Sequence, residues 1–142
     1  MTDPIYRLIY CSHVAEDSLG DTAGIFAVSR VNNARDGLTG ALLHKEGLFA
    51  QILEGPLPVV ERTFERIQCD PRHDNVVVLQ FAEVGGRTFS DWAMADAGAA
   101  ADLLASPLPT DLLARPANQA ADDVLVTLRD LVNRQEDWAI AS

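Results

Sequence analysis

The sequence predicts an α+β domain: a mixed sheet with two helices on one face and C-terminal helices on the other. Three observations carry this. Stretches such as IYRLIYCS, GLFAQILEG and VVVLQFAEV have strand length, branched or aromatic side chains and turn residues at their ends. Other stretches repeat their apolar residues at helical spacing. In chain order the two kinds follow one another as βαββαββ, and a further amphipathic stretch comes last.

Residues Ile5 to Ser12 predict the first strand, because alternation puts Tyr6, Leu8 and Tyr10 on one face. Tyr10 is the inward-facing candidate. Thr22 to Val31 (TAGIFAVSRV) carries Ile25 and Val28 at helical spacing and stops at Asn32-Asn33, which places both asparagines at a helix exit. Gly37 to His44 predicts a second strand, Lys45-Glu46-Gly47 a hairpin turn, and Leu48 to Leu53 a third strand. Pro58 to Asp70 predicts the second helix, with Val60, Phe64 and Ile67 as its core stripe and Arg66 beside them with Val59 and Thr63. Pro71-Arg72-His73 reads as a connection. A fourth strand follows near Val76 to Val84, then a Gly85-Gly86 turn and a fifth strand at Trp92 to Asp96. Beyond Gly98 the composition turns to Ala, Leu and Pro, and Asn118 to Arg134 predicts an amphipathic helix through Val124, Leu125, Leu128, Leu131 and Val132. Such a stripe must be covered, and the sheet face away from the first two helices is the expected cover. The expected division is a sheet domain over 1–98 and a helical extension, packed on the sheet, over 99–142.

Composition narrows the function. At 142 residues the chain has the size of one domain, able to bury about two thirds of its unfolded surface. No apolar run approaches the roughly 20 residues of a membrane span, and MTDPIYRLIYCS lacks a basic leader, so a cytoplasmic protein without membrane contact is expected. With 21 acidic and 11 basic residues the net charge is −10, which repels a phosphate backbone and disfavours direct nucleic-acid binding. His13, His44 and His73 are too scattered for a zinc cluster, and no metal is expected. Cys11 and Cys69 have no metal or disulfide spacing and read as reduced thiols.

One residue stands out. GLFAQILEG has both strand faces apolar, Leu48, Ala50 and Ile52 on one and Phe49 and Leu53 on the other, yet Gln51 shares the second. A buried amide costs about 1–3 kcal/mol if nothing bonds it, so a polar group should lie opposite. Tyr10, Asn32, Asn33 and Gln51 can all point between the two helices and the sheet, and would line a flat slot suited to a planar heteroaromatic ligand. Each residue alone also fits an ordinary role, the tyrosine as core and Asn-Asn as a helix cap.

The strings YRLIYCS, SRVNNARDGLTGALL, FAQILEG, ERIQCDPRH and FSDWAM resemble, in this order, successive segments of the BLUF family of blue-light sensors, over about residues 5 to 97. The resemblance implies a ferredoxin-like fold that holds a flavin between the two helices: FAD, with FMN or riboflavin also accepted. It implies photoactive roles for Tyr10 and Gln51, the glutamine bridging the tyrosine hydroxyl and the N5/O4 edge of the flavin. Trp92 and Met94 match the fifth-strand pair that reports the switch. Flavin binding falls on Asn32, Asn33, Gln51 and Arg66, and on Asp70, Arg72 and His73 beside the ring edge and ribityl chain. The sequence departs from the family's commonest pattern at Ala50, where an aromatic often precedes the glutamine, and at His44, where tyrosine is frequent. Both changes are expected to act on ring packing or kinetics.

The implied protein is a photoreceptor and not an enzyme. In the family, light moves an electron and a proton from the tyrosine to the flavin, the glutamine rearranges its hydrogen bonds, and a red-shifted state signals to a partner protein. The partner's identity and homo-oligomer formation stay open. Two alternatives of other classes stand beside it: a small ferredoxin-like enzyme with Tyr10 or His73 as acid or base, and a flavin-free interaction module.

Overall fold

The structure is a computed structural model that describes residues 4–14, 37–45, 48–69, 73–89, 95–96 and 114–141. Its elements are β1 (Ile5–Val14), β2 (Thr39–Lys45), β3 (Leu48–Pro56), α1 (Leu57–Cys69), β4 (His73–Val84), β5 (Ala95–Asp96) and α2 (Ala117–Ala141). The helix expected at Thr22 to Val31 lies outside the described residues. The sheet order is β4-β1-β3-β2-β5. β1 pairs antiparallel with β3 and β4, β2 pairs antiparallel with β3, and β5 joins the β2 edge in parallel. The fold is α+β and ferredoxin-like, as the resemblance implied.

The period of two decides how the layers form. In β1 and β3 both sets of alternate residues are apolar, so these central strands can be buried on both faces. Leu8, Tyr10, Leu42, Phe49 and Leu53 form one buried cluster with Val60 of α1, to which Val59, Phe64 and Ile67 add. The intervening residues Ile9, Cys11, Ala41, Ala50 and Ile52 form the other, with Ala120, Ala121, Val124 and Leu128 of α2 and with Leu79 and Phe89. The amphipathic tail thus covers the face opposite α1. No helix among the described residues is long and apolar enough to cross a membrane.

Several boundaries differ from the sequence expectation. β3 continues past Leu53 to Pro56 because its pairing with β1 extends to Ile5↔Pro56. β4 starts at His73, so the end of the expected Pro71-Arg72-His73 connection is strand, paired with Val14. Backbone pairing is indifferent to side-chain polarity, and it continues where the apolar pattern has stopped. β5 is described only at Ala95–Asp96. α2 runs to Ala141, beyond the expected Arg134, through Gln135 and Glu136, which are good helix formers. α1 follows β3 directly, and Pro58 is tolerated because first-turn N–H groups have no intrahelical acceptor. Gly40 permits a close approach between β2 and β3: a Cβ there would run into the carbonyl oxygen of Ile52.

Candidate functional site

The site is built by register. Tyr10 of β1 lies directly across from Gln51 of β3, and both point to the α1 side of the sheet. The Tyr10 hydroxyl donates to Gln51 Oε1. Tyr10 is 0% exposed and Gln51 3%, so the polar group expected opposite the buried amide is the tyrosine hydroxyl. The phenol ring is held on two sides, by Phe49 with centroids 6.3 Å apart and an interplanar angle of 30°, and by Phe64 at 5.7 Å and 43°. Phe49 stands two residues before Gln51 on the same face, whereas Phe64 comes from α1. Strand and helix together fix the direction of the hydroxyl.

The β1–β4 pairing shifts register between Ile9 and Tyr10, where Ile9 faces Gln80 and Tyr10 faces Val78, so Leu79 is the extra residue of a bulge. A bulge locally bends and twists its strand, and here that distortion sits beside the tyrosine. Cys11 follows Tyr10 in sequence but belongs to the opposite cluster. Burial pushes its thiol up to about 11, since an apolar surround disfavours the thiolate.

The other expected site residues divide into two groups. Arg66 is exposed in the last turn of α1, two residues after Phe64. His73 opens β4. Asn32, Asn33, Asp70, Arg72, Trp92 and Met94 lie outside the described residues. Ala50 is buried among the residues beneath α2, on the face opposite Gln51, as the strand alternation expects. The missing aromatic there bears on packing under the C-terminal helix.

Sequence reasoning missed a second polar cluster three residues along β3. Glu54 is fully buried. Its Oε2 accepts from Arg7 Nε at 3.0 Å and lies 2.9 Å from Arg7 Nη2, while its Oε1 accepts the main-chain N–H groups of Thr88 and Phe89 at 2.8 and 2.9 Å. Arg87 Nη1 donates to the Glu54 carbonyl at 2.8 Å and to Thr39 Oγ1 at 2.7 Å, and its Nη2 donates to the Gly37 carbonyl at 2.8 Å. The signal was present in GLFAQILEG, since Glu54 is as misplaced in an apolar strand as Gln51. Among the described residues no group of three or more His, Cys, Asp or Glu could hold a metal ion.

A family model described as sensors of blue-light using FAD matches residues 5–95. Among sequence relatives, the photoactivated adenylate cyclase subunit beta-like protein FB of Euglena gracilis is 36% identical over 97 residues, which are 67% of this chain and 11% of that protein. The blue light- and temperature-regulated antirepressor BluF of Escherichia coli strain K12 is 33% identical over 88 residues, 61% of this chain and 22% of that protein. The chain spans about a tenth of the length of the cyclase relatives it matches. Among solved structures, BlrB, described as a BLUF protein in its dark state, has a TM-score of 0.73 at 29% identity and matches 95% of this chain and 99% of its own. A bacterial light-regulated adenylyl cyclase has a TM-score of 0.62 at 39% identity, over 65% of this chain and 27% of its own.

Proposed function

Because this chain belongs to the BLUF family, the sensors of blue light using FAD, we propose that it is a blue-light photoreceptor switched by rearrangement of Gln51 against Tyr10. The observation that carries the reading is the hydrogen bond from the Tyr10 hydroxyl to Gln51 Oε1 in a buried setting. Besides the carbonyl oxygen that the phenol bonds, the Gln51 amide carries two N–H donors. The N5/O4 edge of an oxidised flavin has only acceptors to offer in return, so the residues present fit the cofactor. Gln51, Asn32, Asn33 and Arg66 would hold the ring, and Asp70, Arg72 and His73 the ribityl side.

Bound flavin supplies absorption of blue light and a transient acceptor for one electron and one proton. Tyr10 would be the donor of both, its hydroxyl proton aimed at Gln51 Oε1. Gln51 is the relay, because an amide carries an acceptor and a donor on one planar group and can exchange which end faces the phenol. The lasting change would be the set of hydrogen bonds made by the Gln51 amide. That local change biases a two-state element, which passes the signal to another protein or another part of a longer chain through the Trp92 to Met94 segment and the C-terminal helix. The protein acts as a sensor and not as a catalyst, with the flavin-binding unit over 1–98 and the output extension over 99–142. The test is an absorption spectrum of the purified protein, reconstituted with FAD, before and after blue light. A reversible red shift of the flavin bands is expected, with about one flavin released per chain on denaturation. A protein that takes up no flavin, or whose bound flavin shows no reversible shift, would refute the proposal.

A further inference from the structure

We propose that Glu54 is a positioning residue that joins the Gln51 strand to the C-terminal helix, its carboxylate holding the main chain of Thr88 and Phe89 so that Phe89 seats beneath α2. Gln51 and Glu54 lie three residues apart on β3, about 10 Å along a strand, so a displacement of β3 at one is felt at the other. Oε1 of Glu54 accepts two consecutive main-chain N–H groups, at 2.8 and 2.9 Å. Two bonds to neighbouring peptides fix the orientation of that segment as well as its position. The other oxygen is held by Arg7 of β1, which also donates from Nη2 to Thr88 Oγ1 at 2.7 Å. The segment 87–89 is therefore tied to two central strands by side chains.

Phe89 carries the link across the sheet. Its side chain is 2% exposed and lies in the same buried cluster as Ala120, Ala121, Val124 and Leu128 of α2. Packed apolar clusters respond to displacement by switching between discrete arrangements and not by stretching. A shift of β3 that moves the Glu54 carboxylate thus moves the floor on which α2 rests.

The inference rests on Gln51 being the light-switched group, and a thermodynamic cycle read in the flavin spectrum separates the two. A switched state whose stability depends on the packing of α2 returns at a rate set by its height below the return barrier. Loosening α2 should therefore change the thermal recovery rate of the red-shifted state, and a double-mutant cycle in that rate reads the coupling. Recovery is followed after a blue-light pulse in the native protein, in Val124→Ala, in Glu54→Met and in the double variant. Methionine keeps the side-chain length but accepts no N–H bond. Val124→Ala is expected to change the recovery rate about fivefold in the native background and to leave it unchanged in the Glu54→Met background. A purely structural role for Glu54 would let Val124→Ala act by the same factor in both backgrounds, and that result would overturn the proposal. So would an unaltered rate in Val124→Ala alone. If Glu54→Met does not fold, Phe89→Leu takes its place, since it preserves the carboxylate and its bonds but shortens the contact beneath α2; the same loss of coupling is expected, and its absence counts equally against the idea. A native protein with no red shift would remove the premise itself, before any variant is made.

Discussion

The Tyr10–Gln51 pair is best probed by a double-mutant cycle that reads stability and colour together. Tyr10→Phe removes the hydroxyl that donates to Gln51 Oε1, within a pair that is 0% and 3% exposed. The buried amide then loses a donor and water cannot replace it, at a cost of about 1–3 kcal/mol. Gln51→Leu leaves the phenol without its acceptor and costs a similar amount. Removing both partners leaves neither group stranded, so the double variant should be no less stable than either single one. If each single change costs about 2 kcal/mol, additivity would give about 4, and the expected interaction energy is about 2 kcal/mol. Urea midpoints in the dark at saturating flavin measure this, with flavin titrations to correct for altered binding. Both single variants should also lose the reversible red shift while keeping flavin. Stability effects that simply add, or a light-minus-dark spectrum unchanged in either variant, would show that the pair does not act as one unit.

Cys11 gives a pH dependence whose sign follows from its burial. The unfolded chain loses this proton near the usual 9.0 and the folded chain near 11, so stability is unaffected below pH 9 and falls by about 1.4 kcal/mol per pH unit between the two; Cys11→Ala should flatten that slope, as denaturant titrations at pH 8, 9 and 10 would show. Gly40→Ala should prevent normal β2–β3 pairing, because its Cβ would run into the main-chain carbonyl oxygen of Ile52; loss of hydrogen-exchange protection in β2 and β3 checks this. Arg7→Met should destabilise the fold by about 3 kcal/mol, since it strips one partner from the buried carboxylate of Glu54, and a urea midpoint close to that of the native protein would contradict it.

How much was legible in advance depends on the range of the forces involved. Periods of 2 and 3.6 are local properties, so the sequence by itself determined that β3 has two apolar faces, that Val60, Phe64 and Ile67 form a stripe, and that Val124 and Leu128 must be covered. It also marked Gln51 as an amide in need of a partner, because the cost of burying a polar group is known wherever it is buried. The successive motifs then supplied the family, which the matched residues 5–95 bear out. Other features required two distant segments to meet. That Tyr10 stands opposite Gln51 is a matter of register between strands 41 residues apart, and a slip of one residue would have turned the phenol to the other face. The placing of Ala50 beneath α2 follows from the same register. So does the role of Glu54, visible as an oddity in GLFAQILEG yet explained only when Arg7 and the main chain of Thr88 and Phe89 close around it. Ladder boundaries such as Pro56 and His73 also escaped the pattern, since backbone hydrogen bonds extend wherever a partner strand runs. Register and partner choice come from many weak contacts summed over the whole sheet, and a window of nine residues contains none of them.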